Sequence, residues 1–182
     1  MRWLRWAVGV GCVCGLVFAG ALWAFGRPGY PFGDPRACDG SDVPLRQELD
    51  TVGLPLPAGA QDVHYVTHST AAEGDVVLAV EFRSTSRTMN AYLRDNKLVT
   101  KGLDTLADGR FDTGDAGTDP ASLGLCGGVP LIHAPAVLVT QQRLATAGYR
   151  ETIDLALQTG PTDIGRLSAT PEVQLMVTHT AL

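Results

Sequence analysis

The sequence predicts an α+β fold: one N-terminal transmembrane helix, then an antiparallel sheet of about five strands with two helices, in the order α-β-β-α-loop-β-β-β. Three observations predict it. Residues 7–26 carry no charged side chain, and ~20 apolar residues rising ~1.5 Å each cross a hydrocarbon core of ~30 Å. Three later stretches, 75–83, 151–159 and 172–180, alternate apolar and polar residues with the period of a half-buried strand. Two others repeat apolar residues at helical spacing: Leu45, Leu49 and Val52, then Met89, Tyr92 and Leu93.

The apolar run is flanked by Arg2 and Arg5 on one side and Arg27 on the other. The basic N-terminal flank puts residues 1–6 in the cytoplasm as a short stub, with 7–26 as a signal-anchor. Trp3, Trp6 and Trp23 are the only tryptophans. A helix rises roughly 26 Å from Trp6 to Trp23, so the indoles form two interfacial belts. The rival reading is a signal peptide cleaved after Ala21, at Ala19-Gly20-Ala21. The apolar run continues past that point through Leu22, Trp23, Ala24 and Phe25, which favours the uncleaved anchor. A lipid anchor on Cys12 or Cys14 lacks its lead-in residues. Gly11, Gly15 and Ala19 lie four apart, a small-residue face on which two such helices can pack as a homodimer.

Residues 27–37 hold several prolines and glycines and read as a linker without regular structure. Residues 38–182 suffice for one extracytoplasmic domain. Its first helix has Ser41 and Asp42 as caps, Pro44 in the first turn and Gly53 as its stop. A strand over 62–67 follows, with Val63 and Tyr65 on one face. In the strand 75–83, Val76, Leu78, Val80 and Phe82 face inward; Asp75, Glu81 and Arg83 face out. The short polar connector between the two strands predicts a hairpin. Ser84 or Ser86 caps the second helix. Periodicity then fails, and residues 104–122 read as a flexible acidic loop. Strands resume at 136–140, at 151–159 with Ile153, Leu155 and Leu157 inward, and at 172–180 with Val173, Leu175 and Val177 inward.

Charge and cysteines bound the function. The chain has 14 basic and 19 acidic residues. All of the imbalance lies beyond the apolar run, so nucleic acid and anionic lipid are poor partners. Cys12 and Cys14 sit within the apolar run, two residues apart, and point to different helix faces. Cys38 and Cys126 are the remaining pair, and an oxidising compartment joins them as a disulfide. Such a bridge closes a loop of about 90 residues and stabilises by roughly 4–5 kcal/mol. The alternative is a nucleophilic Cys126 with His133 as base, which sequence proximity alone does not support.

Other chemistry-bearing residues carry weaker signals. His64 and His68 have the H-x-x-x-H spacing of a helical zinc pair. Their surroundings are β-prone, and residues four apart on a strand stand ~13 Å apart, too far for one ion. Asp112, Asp115 and Asp119 offer oxygen ligands for calcium, but at spacings of three and four rather than two. Ser84-Thr85-Ser86, flanked by Arg83 and Arg87, suits an anion at a helix start, although capping alone explains the hydroxyls. Ser122 and Ser168 lack a nucleophile-elbow frame. No phosphate loop or dinucleotide fingerprint is present. The sequence therefore implies no cofactor and no catalytic residue.

This layout is similar to that of small single-pass exported proteins of actinobacterial type. The likeness rests on architecture and on an Ala-, Gly-, Asp-, Arg- and Thr-rich composition, not on a motif. It implies an envelope role and carries over no site residue. The expectation is a membrane-anchored binding module, single-pass, with its C-terminal domain outside the cytoplasm and a protein partner in the envelope. The alternatives are an envelope hydrolase or metal-dependent enzyme, and a ligand-sensing accessory subunit.

Overall fold

Period-two alternation supplies most of the sheet. The computed structural model describes residues 30–70, 75–98, 104–105, 125–126, 132, 135–144, 149–160 and 163–181. Among them are seven strands: β1 (Gln61–Thr70), β2 (Asp75–Arg83), β3 (Asp104–Thr105), β4 (Ala136–Leu144), β5 (Tyr149–Gly160), β6 (Asp163–Leu167) and β7 (Glu172–Ala181). The helices are α1 (Leu45–Val52) and α2 (Ser86–Asp95). The spatial order is β1-β2-β7-β5-β4-β3, with β6 folded back on β5 and every pairing antiparallel. The α+β class and the two helices hold. About five strands become seven, because β3 is two residues long and β6 carries Gly165 in a stretch with no alternation.

The inward sets expected on β2, β5 and β7 all lie on one face. Leu78, Val80 and Phe82 join Ile153, Leu155 and Leu157 and Val173, Leu175 and Val177 in the main core. Leu45 and Val52 of α1 and Met89 and Tyr92 of α2 close over them. Each fully buried large side chain here stabilises the fold by ~1.5–3 kcal/mol.

The opposite face differs from expectation. Glu81 does not face solvent: it is 2% exposed. Val66, Ala79, Ala156 and Met176 form a second, smaller core with Cys38, Ile132 and Ala136, and Leu125 packs against it. Chain segments far away in sequence cover this face, so alternation alone cannot distinguish it from a wet one.

The caps also differ. Asp42 does not cap α1; its carboxylate accepts from the Ser69 amide and hydroxyl at 2.6 and 2.5 Å. Burial pulls the Asp42 carboxyl up, but the Ser69 bonds, its own backbone amide and the His68 charge together hold it below the usual range. Ser41 donates to the Tyr65 carbonyl at 3.4 Å. The cap position belongs to Pro44, which makes no side-chain bond. Gly53 does end α1, at φ 66°, where a glycine carries no Cβ penalty. On α2 the cap is Thr85, whose hydroxyl accepts from the Thr88 amide at 3.2 Å, rather than Ser84 or Ser86.

The end of the Pro/Gly stretch lies against the sheet. Pro31–Gly33 makes a 3₁₀ turn. Tyr65 N–H then donates to Arg36 C=O at 2.9 Å, and Cys38 N–H to Tyr65 C=O at 2.8 Å. Prolines forbid a continuous strand, but this bridge needs only one carbonyl and one amide, neither of them on proline. It occupies the outer edge of β1 at Tyr65, whose amide and carbonyl would otherwise be unpaired there.

Residues 7–26, including Gly11, Gly15 and Ala19, lie outside the described residues, as does the stub 1–6. Among the described residues no helix is long and apolar enough to cross a membrane.

Candidate functional site

Cys38 follows the edge bridge directly. Its amide is held by Tyr65, so its Sγ points to the outer face of the sheet, into the second core. Cys126 meets it there: the two are joined as a disulfide with Cα atoms 5.3 Å apart. The Cys126 amide also donates to Cys38 Sγ at 2.9 Å. Cys38 is buried and Cys126 exposed.

His64 is the third member. Tyr65 points into the main core, so its neighbour His64 points to the opposite face. There His64 Nδ1 lies 3.4 Å from Cys126 Sγ. The sulfur and nitrogen atoms of Cys38, His64 and Cys126 all lie within 4.8 Å of one another. Among the described residues the imidazole beside Cys126 is that of His64; His133, considered from sequence, lies outside the described residues. His68 stands four positions along β1, opposite Val77, while His64 stands opposite Glu81. The strand separates the two histidines, as expected of β geometry.

Glu81 extends this polar row across the sheet. It accepts from Gln174 Nε2 at 2.7 Å, on the neighbouring β7. Burial lifts its carboxyl above the ordinary glutamate range; the Gln174 bond opposes this, and the nearby Glu172 charge adds to it.

A second polar cluster lies at one end of the main core. Arg143 of β4, Glu151 of β5 and His179 of β7 are successive cross-strand partners. Arg143 Nε donates to Glu151 Oε2 at 2.6 Å, and its Nη2 donates to the Val52 carbonyl at the end of α1. His179 Nδ1 lies 3.7 Å from Glu151 Oε1. Glu48 of α1 is also buried, and burial, then Glu151, then Asp42 push its carboxyl up. Two carboxylates and an imidazole are the ingredients of acid–base chemistry. Glu151 and His179, however, are only 2% and 8% exposed, too enclosed for a substrate to reach. The guanidinium ties the last turn of α1 to β5, a structural role.

The remaining candidates divide. Asp112, Asp115, Asp119 and Ser122 lie outside the described residues. Of the Ser84-Thr85-Ser86 group, Thr85 is committed to the cap, and Arg83 pairs with Asp62 at 3.2 Å and Glu172 at 3.4 Å. Ser168 donates to Gln158. A shallow open depression on the outer side of α1 is lined by Pro44, Arg46, Gln47, Asp50 and Thr51.

The Cys126–His64 contact was missed from sequence because the two are 62 residues apart. The only available signal was indirect: a disulfide at Cys38 and a strand through His64 both lead to the same stretch of chain. Comparison with protein-family models, with curated proteins and with solved structures finds no match to this chain.

Proposed function

We propose that this protein is a membrane-anchored, extracytoplasmic binding module that engages a protein partner of the cell envelope along β4 beyond Leu138, where no other described strand than β5 pairs with it. The observation that carries the compartment is the Cys38–Cys126 disulfide, since such bridges persist outside the reducing cytosol. The uncharged run at residues 7–26 supplies the anchor. Tyr30 and Phe32, just beyond it, are 56% and 50% exposed, which suits aromatic rings resting at a headgroup layer.

The edges of the sheet favour β4 as the binding strand. On the β1 edge the 36–42 segment takes up backbone groups of Tyr65, Thr67 and Ser69. Among the described residues β3 covers β4 only at Val137 and Leu138. Beyond them Thr140, Gln142 and Leu144 are exposed, Leu144 at 74%. A strand edge of this kind accepts a partner strand through backbone hydrogen bonds, with the side chains giving selectivity.

Two measurements on intact cells test the reading. With Cys12 and Cys14 replaced by serine, Ala169→Cys should react with a membrane-impermeant maleimide before lysis. Labelling only after lysis would put the domain in the cytoplasm. A photo-crosslinking residue at Gln142 should give a discrete adduct that the same residue at Arg46 does not. Equal or no adducts at both positions would remove β4 as the docking edge.

A further inference from the structure

We propose that Cys38, His64 and Cys126 form a binding site for a thiophilic divalent cation of the zinc type, opened when a dithiol reductant cleaves the disulfide. The same junction is then closed either by a sulfur–sulfur bond or by a metal ion. This goes beyond the binding-module reading and does not depend on it.

The donor set carries the inference. Two thiolates and one imidazole are ligands for zinc, with Zn–S near 2.3 Å and Zn–N near 2.0–2.1 Å. A tetrahedral ion with those bond lengths has S···N edges of about 3.6 Å and S···S edges of about 3.8 Å. His64 Nδ1 already stands 3.4 Å from Cys126 Sγ, and all three donor atoms fall within 4.8 Å. Binding therefore requires only that the two sulfurs part from ~2.0 Å to ~3.8 Å.

The scaffold holds two of the three donors in place without the disulfide. His64 sits on β1, paired with Glu81 of β2, and Cys38 hangs from the Tyr65 carbonyl by its amide. Cys126, exposed, is the member on the solvent side of the three. Burial falls from Cys38 through His64 to Cys126. The fourth coordination position thus opens toward solvent, as in sites that keep a water or exchange their ion.

The chemistry balances. One thiolate of the dithiol attacks the exposed Cys126 Sγ; the S–S bond breaks and its electron pair goes to Cys38 Sγ. The second thiol of the reductant attacks its own sulfur in the mixed disulfide and releases the Cys126 thiolate. The dithiol leaves as a cyclic disulfide, oxidised by two electrons. The two protons of the dithiol pass to solvent, and the cation binds the two protein thiolates.

The test uses the full chain in detergent with Cys12→Ser and Cys14→Ser, so that no other thiol competes. After anaerobic reduction by a phosphine, cobalt(II) is titrated as a coloured zinc substitute. The expected result is one cobalt per chain, with sulfur-to-cobalt charge-transfer absorption and the visible bands of a tetrahedral ion, displaced by zinc. The oxidised protein should give neither. His64→Ala should weaken binding by about tenfold or more, whereas His68→Ala should leave it unchanged. Absence of the charge-transfer band, equal affinity in His64→Ala, or one cobalt shared by two chains would each overturn the site. Should reduction unfold the domain, zinc must refold it, read by far-ultraviolet circular dichroism; failure to refold overturns the proposal equally.

Discussion

Removing the covalent junction with Cys38→Ala and Cys126→Ala should cost the domain a large part of its stability. The two cysteines are separated by 88 residues. Entropy of loop closure for a loop of that length amounts to about 15 cal/mol/K, or ~4.6 kcal/mol at room temperature. Domains of this size are stable by only ~5–15 kcal/mol in all. Cys38 itself sits in the second core, so alanine there also gives up some packing. The assay is equilibrium unfolding in urea at fixed pH. With a slope of roughly 2 kcal/mol per molar urea, the midpoint should fall by about 2 M. The slope should also rise, because the unfolded chain without its cross-link exposes more surface. Midpoints within ~0.5 M of each other would show that the bridge does not restrict the unfolded chain, and the entropic reasoning would fail.

Two further outcomes follow from the buried charges. Burial, Glu151 and Asp42 raise the Glu48 carboxyl above its ordinary 4.5, so its stabilising contribution is full below 4.5 and is lost as pH rises through the raised value. Glu48→Gln should therefore be close to neutral near ~pH 4 and stabilising near ~pH 7 in urea unfolding, and a less stable variant at the higher pH would contradict this. Arg143→Met takes the guanidinium from buried Glu151, leaving it only His179 at 3.7 Å, and should cost ~3–5 kcal/mol, most of it recovered by adding Glu151→Leu; a single-variant loss under ~1 kcal/mol would mean the pair is no more than a surface contact.

What the sequence made legible was whatever repeats along a short window. The inward faces of β2, β5 and β7 were readable because large apolar residues alternate with polar ones there. Both helices were readable from three apolar residues each, and Gly53 from the conformation that only glycine takes cheaply. What failed was whatever depends on a distant partner. Asp42 looks like a cap until Ser69, 27 residues away, binds it. Glu81 looks like a surface acid until Gln174 arrives 93 residues later to accompany it into the interior. β6 was invisible because its pairing rests on backbone bonds to β5 at Asp163 and Leu167, which a polar residue makes as well as an apolar one. The disulfide was inferable from the expected compartment and from parity; its histidine neighbour was not, because parity says nothing about which strand runs beneath a sulfur.

The position of β7 has a consequence for how the domain comes into being. β2 and β5 are bonded to each other only through β7, which follows both in chain order. A chain made or threaded from its N-terminal side therefore presents two half-sheets, β1–β2 and β4–β5, each with a bare edge, until residues 172–181 arrive to join them. In that interval the groove between the halves is a vacancy shaped for one antiparallel strand of the β7 pattern. A chaperone that shields a strand edge, or the β7 of a second chain, would find it open, and domain-swapped dimers are the form misassembly should take. Pairings over such sequence distances also form slowly, so the docking of β7 is the step with which such encounters would compete.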